Sequence, residues 1–547
     1  MNVQIIAPTA VFMLCVFSLD PVPPCTDTYV IEIPQNMEFE QNGTFTVRIS
    51  SNNLNDNQTL HVEFPDQFSL SDSHGKQDIS VFLQNNELTY VRNDNSDKQV
   101  SYSLNELPVG EWSGNMNMSI YLEDSTPSNV LLEGNRLNSI LNEIDPLSVT
   151  FTNSYFYCDN DIDVSAVQDR SLLLHNDNRN VTIYPNDGTE IIANRDMSGA
   201  LSNLNKLESI TGINLLNMDD CEDISALFKG DVKLSSIGGI DSFDTGNVIN
   251  MSRMFEMCTS LNRLTLNNLD TSSCTDMSYM FSHCLNLTTP GSLRNWDMSE
   301  CDNTSHMFYN CVKLRNLGTM ATWDTSNVKD MSSMFENCPA LITTGDISGW
   351  NVGNVESFKA MFRLSSSMRN IGNIGLWNIS ERCRDLSEMF SSSEEILSSD
   401  LDLSNWNVSN VSDTSYMFHN CMSLVNLNIT GWNTANLTSM ASMFECDHPD
   451  KQSALENIIG MDNINVSNLS DMSRAFLGAK YLNCDLSSWG DSLGNLTDIS
   501  YSFYGALNFD IDKLKDWQLP SLVNKTETFG NGAGTAILSP IPDWYYD

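Results

Sequence analysis

WDTSNVKDMSSMF, residues 323–335, is the clearest copy of a phrase that recurs between residues 197 and 529. Cys338 and Leu341 follow it, and its final Phe returns every 26 to 28 residues, apart from one step of 32. The recurring residues are Phe228, Phe255, Phe281, Phe308, Phe335, Phe362, Phe390, Phe418, Phe444, Phe476, Phe503 and Phe529. A fixed period of this length predicts a repeat array in which each unit buries its apolar side against its neighbours.

Other apolar positions keep a constant distance from this Phe. Twelve residues before it there is most often a Trp, as at Trp323 and Trp350, and six residues after it there is most often a Leu, as at Leu314 and Leu341. The 32-residue step fits five extra residues within the stretch 446–455 (CDHPDKQSAL). Its Pro, Asp and His predict a surface loop inserted into an otherwise regular unit.

Each unit predicts a strand, a turn and a short helix. A strand-like stretch such as residues 424–429 leads to the Trp, and the phrase after it places Met and Phe at a helical spacing. The Asp and Ser ahead of these residues suit helix N-caps. We therefore predict an α/β leucine-rich-repeat solenoid, with one strand and one short helix per turn.

The remainder of the chain predicts four further segments. Alternating apolar and polar residues separated by turn-forming residues indicate an all-β sandwich domain over residues 27–125. Residues 126–190 read as a transition and N-terminal cap, with a short helix over 130–144 and strands between 171 and 185. The solenoid follows over 191–530, and 531–547 form a C-terminal tail.

Residues 1–26 begin with an apolar segment. Residues 5–19 have the length of the apolar part of an export signal, but no Lys or Arg precedes them, Pro8 interrupts them and no small-residue cleavage site follows. The segment reads either as a poor export signal or as a docking segment. No stretch reaches the roughly 20 apolar residues that span a bilayer, so we expect no transmembrane segment.

The net charge argues against nucleic-acid binding. Lys and Arg number 28 against 70 Asp and Glu, which gives 28 − 70 = −42. The excess is spread along the chain, and no basic stripe reverses it locally. Such a field repels phosphate backbones, so no nucleic-acid partner is expected.

The repeat phrase closely resembles that of the BspA-like leucine-rich-repeat family. The matching stretches include FDTGNVINMSRMFEMC (243–258), WDTSNVKDMSSMFENC (323–338) and WNVSNVSDTSYMFHNC (406–421). The resemblance implies the leucine-rich-repeat fold. It also implies a surface protein that adheres to host proteins or to other cells.

The 14 cysteines invite a disulfide or metal interpretation, but most have a fixed place in the repeat. Five lie three residues after the Phe, and Cys221, Cys274 and Cys301 occupy a slot that is Val elsewhere. Exchange with Val marks a small buried position, which favours reduced core thiols. Outside the array, Cys15, Cys25 and Cys158 are the better disulfide candidates.

Asp and Asn form two rows along the repeats, one after the Trp slot and one before the Met-Ser pair, as at Asp324 and Asp330. A row of calcium sites is one interpretation, whereas turn formation and helix capping need only one carboxylate per unit and are favoured. Asp159, Asp161 and Asp163 resemble a calcium loop, but Val164 and Arg170 stand where Gly and Glu are required. No metal-ligating residue is predicted.

The sequence also lacks catalytic signatures. It contains no HExxH, GxSxG or GxxxxGK[ST] motif, and Gly530, Gly532 and Gly534 lack the strand–helix context of a phosphate-binding loop. His283, His306 and His419 border the Met-Phe core at different offsets and are interpreted as residues of solvated helix faces. We therefore predict no enzyme, no catalytic or cofactor-binding residues and no cofactor.

Two functions remain after these exclusions. The first is a non-enzymatic adhesion or ligand-recognition protein that is extracellular, on a cell or virion surface, and binds a protein or glycan on a host or neighbouring cell. The second is a structural virion component, such as a head fibre or a tail or capsid decoration, docked to capsid or tail proteins through its N-terminal region. Exposed positions that differ from repeat to repeat would contact either partner.

Overall fold

The structure is a computed structural model. It describes strands within residues 2–124, and then residues 129–154, 161–186, 188–369, 371–395, 400–448, 452–521, 523–530 and 541–546. The chain divides into two units: residues 1–130 with 165–171, and residues 131–164 with 172–547. The described part consists mostly of short strands in small sheets, with repeats and few helices.

In its described residues, the first unit contains ten antiparallel strands in two sheets. One sheet has the order β2-β1-β4-β9; the other has the order β7-β6-β10-β5-β8, with β3 paired to β10. The strands are β1 (Asn2–Ile6), β2 (Leu14–Val16), β3 (Asp27–Phe39), β4 (Thr44–Ser50), β5 (Gln58–Glu63), β6 (Gln67–Asp72), β7 (Asp78–Phe82), β8 (Glu87–Val91), β9 (Lys98–Ser103) and β10 (Gly110–Asp124).

The alternating segments of the sequence do form strands, and β3, β4, β5, β9 and β10 lie where they were predicted. Residues 1–26, expected to stand apart as a signal or docking segment, contribute β1 and β2, which pair with each other and, through β1, with β4. The packing of the two sheets into a sandwich stays a prediction.

The second unit begins with an α-helix and a mixed sheet. The helix α1 (Gly134–Ile144) buries Leu137 and Leu141, and its first residue approaches the array so closely that a Cβ on Gly134 would lie 2.2 Å from the Ser198 carbonyl oxygen. The strands are β11 (Ser148–Phe151), β12 (Ile162–Asp163), β13 (Leu172–Asp177) and β14 (Asn180–Pro185). The predicted helix and the two strands of this region are thereby confirmed.

The cap is continuous with the repeats, because β11 pairs in parallel with β16 and β16 with β18. The strands of the repeat region are β15 (Ile191–Ile192), β16 (Ser209–Thr211), β17 (Leu216–Asn217), β18 (Ser236–Ile237), β19 (Asp400–Asp402), β20 (Asn426–Asn428) and β21 (Asn457–Ile459). Short 3-10 turns precede several Trp slots at Ile240–Ser242, Ile374–Leu376, Met461–Asn463 and Ile511–Leu514, and another, Ser487–Ser492, contains Trp489. Others are Ile213–Leu215 and Asp543–Tyr545.

Consecutive repeats pair through a continuous row of parallel bridges five residues before each recurring Phe. The row runs from Asp196 through Asp330 to Asn524, and each member bridges its counterparts in the adjacent repeats. This row lies within the phrase and not in the predicted strand, which forms in the described units as β16, β18, β19, β20 and β21 and, at Arg263 and Thr289, as a single bridge. The parallel pairing means that equivalent side chains of successive units lie next to each other.

The predicted short helix of each unit is wrong. In the described residues of the repeats, the phrase forms consecutive tight turns, and the residues two before and two after the Phe, such as Arg253 and Met257, have φ of 61° and 63°. An α-helix cannot contain such residues, whereas a type II turn requires one at its third position. Met251, Met254, Phe255 and Cys258 are all buried at the spacing of a helix face, which explains the mistake.

The turns also stack the units on one another. Within the phrase every second amide bonds inside its own turn, as Met254 N does to the Met251 carbonyl at 3.3 Å. The amides between them, such as that of Phe255, donate to the next repeat, here to the Met280 carbonyl at 2.8 Å. A helix would direct all of these amides along its own axis, so no ladder between units could form.

Two aromatic columns fill the interior. The twelve recurring Phe rings stack pairwise from Phe228 to Phe529, with ring centroids 5.2 to 5.8 Å apart. The Trp slots form a second column, in which the indole of Trp350 lies 6.0 Å from that of Trp323 and donates to the Met320 carbonyl at 2.9 Å. Ring stacking stabilises the columns beyond the burial of apolar area. A hydrogen-bonded indole N–H also avoids the free-energy cost of burying an unpaired donor.

The Cys column beside the Phe column consists of thiols. Cys258, Cys284, Cys311, Cys338 and Cys421 each donate from Sγ to the carbonyl of the Phe in the preceding repeat. Burial raises the pKa of Cys284 and Cys338 to about 12. All eleven cysteines of the described chain are free, which confirms the prediction of reduced core thiols.

The C-terminal residues belong to the stack rather than to a separate tail. Trp544 stacks on Trp517 at 5.9 Å, and its indole donates to the Leu514 carbonyl at 2.8 Å. It also lies 5.8 Å from Phe529, the last of the Phe column. The predicted array therefore continues into the predicted tail. None of the helices in the described chain is long and apolar enough to cross a bilayer.

Candidate functional site

The residues that the repeats share are occupied in holding the units together. The Asn of the phrase bonds backward, as Asn327 Nδ2 does to the Ser299 carbonyl at 2.5 Å. The Thr bonds forward, as Thr325 Oγ1 does to the Asn351 carbonyl at 3.0 Å. Met, Phe and Cys fill the interior. These contacts explain why the same residues recur at the shared positions. A partner would therefore contact the positions that vary.

The two Asp and Asn rows form turns. Asp324 Oδ1 accepts from the Ser326 amide at 3.0 Å, and Asp330 Oδ1 accepts from the Ser332 amide at 2.8 Å. Bonds from a side chain to the amide two residues on define Asx turns, so turn formation is right and helix capping is wrong. Each row supplies one carboxylate per unit, far fewer than the six to eight oxygens around calcium.

Asp161 of the calcium-like run has other partners. Its Oδ1 lies 2.8 Å from His175 Nδ1, and its Oδ2 accepts from the Tyr184 hydroxyl at 2.5 Å. Asp163 lies in β12, and Asp159 is outside the described residues. The structure thus gives Asp161 a structural role in the cap sheet.

The variable row is the set of residues two before, one after and two after each recurring Phe. Some of these side chains are buried and several reach solvent, for example Met257 and Tyr416, which are 46% and 40% exposed. Unlike the shared positions, the row changes chemistry from unit to unit. It therefore contains the candidate functional site.

One part of the row forms an aromatic patch, which we define as Arg253, Tyr279, His283, His306 and Tyr309. The Arg253 guanidinium lies 4.3 Å from the Tyr279 ring centroid, and Tyr279 stacks on His306 at 4.4 Å. The Tyr309 ring lies edge-on to His306 at 5.5 Å and to His283 at 5.1 Å. Four aromatic rings and one cation from three consecutive units thus form a continuous surface.

The patch is half-buried, which affects the pKa of His306 and the contacts of Arg253. Burial lowers the pKa of His306, which favours its neutral imidazole at physiological pH. Its Nδ1 is buried without a hydrogen-bond partner among the described residues. Arg253 is held by an ion pair to Glu256 at 3.0 Å, so its side chain is fixed over the Tyr279 ring.

Elsewhere the row is charged. Buried glutamates one residue after the Phe pair with cations of the same or adjacent units: Glu256 with Lys229 at 2.9 Å and Glu336 with Arg363 at 2.7 Å. Glu445 pairs in the same way with Arg474. These pairs neutralise the acidic side chains that the row buries.

The histidines and glycines named from the sequence fall in different places. His283 and His306 are neither on helices nor fully solvated, since both have positive φ and lie together in the patch. His419, by contrast, lies beside Asp447, at 3.2 Å. Gly530 closes the last described turn, while Gly532 and Gly534 are outside the described residues.

Sequence reasoning missed both the patch and the cluster around His419. His283 lies two residues after its Phe and His306 two residues before the next one, and this difference in offset hides the fact that successive turns bring them into one patch. Of the disulfide candidates, Cys25 and Cys158 are outside the described residues, as is the side chain of Cys15. Their pairing stays a prediction.

One family model matches the repeats. It carries the description "Mycoplasma protein of unknown function, DUF285", and it matches residues 195–316, 286–399, 345–458 and 450–544. Together these matches cover 195–544, which is 350 of 547 residues. No curated protein and no solved structure matches the chain. None of these findings supports a virion component.

Proposed function

This chain belongs to the DUF285 family, whose description assigns no function, and we propose that it is a non-enzymatic recognition protein that adheres to a cell-surface protein through its aromatic patch. The patch is the observation that supports this function. It is the one cluster in the described variable row where several aromatic rings and a guanidinium meet. Tyr and Arg are enriched among the residues that dominate binding energy at protein interfaces.

The proposal includes the architecture behind the patch. We propose that the repeats form a leucine-rich-repeat-like solenoid, because parallel bridges link unit to unit from Asp196 to Asn524. The resemblance of the phrase to BspA-like repeats supports an extracellular place on a cell surface. The proposed sandwich of the first unit attaches or spaces the array.

The geometry favours a protein over a glycan as partner. Sugars bind aromatic side chains by lying on the ring face, but both faces of Tyr279 are covered, one by Arg253 and one by His306. The ring edges, the hydroxyls of Tyr279 and Tyr309 and the imidazoles remain to meet a partner. Edges and polar groups of this kind suit the side chains and backbone of a protein surface.

The test measures binding of the labelled full-length chain to intact host or neighbouring cells. Tyr279→Ala and His306→Ala are expected to weaken this binding by roughly thirtyfold each, the value for a residue that contributes about 2 kcal/mol. Tyr501→Ala is the matched control, because Tyr501 occupies the same slot, two residues before Phe503, outside the patch. It is expected to leave binding unchanged.

Treatment of the cells separates the two classes of partner. Protease digestion of the cell surface should abolish binding, and periodate oxidation of its glycans should preserve it. The reverse result would replace the protein partner by a glycan. Equal loss of binding in the control and patch variants would show that the patch is not the contact surface.

A further inference from the structure

We propose that His419, Glu445 and Asp447 bind a divalent transition-metal ion, for which Zn²⁺ is the test case, and that this ion fastens the inserted loop to the repeat before it. Ligand atoms of the three residues all lie within 4.8 Å of one another. The proposal concerns a different part of the variable row and does not depend on the proposed function.

The cluster occurs where the repeat is interrupted. Asp447 lies three residues after Phe444, the slot that holds a buried Cys at Cys338 and Cys421, and it opens the insertion that lengthens this unit. Its side chain is 49% exposed, so an ion can reach it from solvent. His419 and Glu445 are each one residue after a Phe, and parallel pairing therefore brings them side by side.

The distances suit tetrahedral coordination. Zinc binds imidazole nitrogen and carboxylate oxygen at about 2.0–2.2 Å, which places tetrahedral ligand atoms roughly 3.3–3.5 Å apart. His419 Nε2 lies 3.2 Å from Asp447 Oδ1. Small rotations of the side chains would admit the ion between them.

The surroundings hold the ligands in position. Ser391 Oγ lies 3.2 Å from His419 Nδ1, and His419 Nε2 faces Asp447 Oδ1 at 3.2 Å and Asn420 Nδ2 at 3.3 Å. Asn420 fixes Asp447 twice, by donating from Nδ2 to Oδ1 at 2.9 Å and by accepting the Asp447 amide at 3.1 Å. Outer hydrogen bonds of this kind orient ligands in metal sites.

The charges favour a transition metal and limit its affinity. Arg474 bonds to both oxygens of the buried Glu445, at 3.0 Å each from Nε, and offsets one negative charge. Glu445, Asp447 and Arg474 together carry a single net negative charge. One imidazole and two carboxylates suit zinc better than calcium, which needs more oxygens.

Calorimetry with Zn²⁺ and the full-length reduced chain tests the site. His419→Ala and Asp447→Asn are each expected to weaken binding about 100-fold or more, and Ser391→Ala about tenfold, since outer partners contribute 10- to 100-fold. His283→Ala is the control, because His283 has no carboxylate partner among its described contacts. It is expected to bind Zn²⁺ like the unaltered chain.

Substitution by Co²⁺ identifies the ligands. Visible absorption without a near-ultraviolet thiolate band supports nitrogen and oxygen ligands and hence this site. A thiolate band would assign the ion to Cys446 or to another cysteine and overturn the proposal. Stoichiometric binding that His419→Ala leaves unchanged, or an absence of binding at millimolar Zn²⁺, would overturn it as well.

Discussion

The inward-facing and outward-facing residues of the repeated phrase differ in how much they vary from unit to unit. On the inner side, Phe335 stacks between Phe308 and Phe362 at 5.7 and 5.8 Å, and the same contact recurs in every unit. On the outer side, the residue after the Phe is Tyr309 in one unit and Glu336 in the next. Each interior ring contacts the rings of two neighbouring units, so a substitution in one unit disturbs the packing of both neighbours. The exterior contacts solvent or a partner and is free to vary.

The largest expected effect comes from breaking the inner column. Phe335→Ala removes a ring that two neighbours contact, and it should lower the free energy of unfolding by about 3–5 kcal/mol. Lys313→Ala, at an exposed position, is the control and should change stability by less than about 0.5 kcal/mol. Denaturant midpoints with unchanged slopes would measure both. A loss at Phe335 no greater than at Lys313 would contradict the packed column.

A smaller effect is expected at Asp231, a buried carboxyl at an inward-facing position. It occupies the slot that is Cys in other units; its Oδ1 accepts from the Leu204 amide at 2.7 Å, and its Oδ2 has no partner among the described residues. Burial raises the pKa of this carboxyl well above its usual value. Asp231→Asn should therefore raise the free energy of unfolding at pH 7 by about 1–3 kcal/mol, because it removes a carboxyl that ionises freely only in the unfolded chain.

The pH dependence of that gain has a definite sign. Above the unfolded pKa of about 3.9, the unfolded chain releases the proton that the folded chain retains, so the contribution of Asp231 to stability falls as pH rises. The advantage of Asp231→Asn should grow from pH 4 towards the raised folded pKa and vanish below pH 4. Thermal unfolding of both proteins across this range measures it. A gain that does not change with pH would rule out a protonated Asp231.

The smallest expected effect lies within the Cys column. Ser365 already occupies this slot, and its Oγ donates to the Phe335 carbonyl at 2.6 Å, as Cys338 Sγ does to the Phe308 carbonyl at 3.0 Å. Cys338→Ser should therefore cost less than about 1 kcal/mol. Because burial raises the pKa of Cys338, its thiol should also resist alkylation until the chain unfolds. Rapid labelling of the native chain at Cys338 would show that the column is open.

Some features could be predicted from the sequence because they depend on spacing alone. The period located the units, the exchange of Cys with Val indicated buried thiols, and alternation located β3, β4 and β10. The turn conformation could not be predicted. Buried residues at a helix-like spacing are compatible with an α-helix and with a series of tight turns. Only the hydrogen bonds between units, such as that from the Phe255 amide to the Met280 carbonyl, favour the turns.

The sequence by itself determined the repeat, its interior and the five-residue irregularity after Phe444, since each follows from identity and distance along the chain. Only the tertiary structure decided which variable residues meet. Tyr279 and His306 are 27 residues apart in sequence but stack at 4.4 Å. The same holds for His419 and Asp447, 28 residues apart and in contact at 3.2 Å. Because successive units pair in parallel, residues about one repeat apart in the sequence come into side-chain contact.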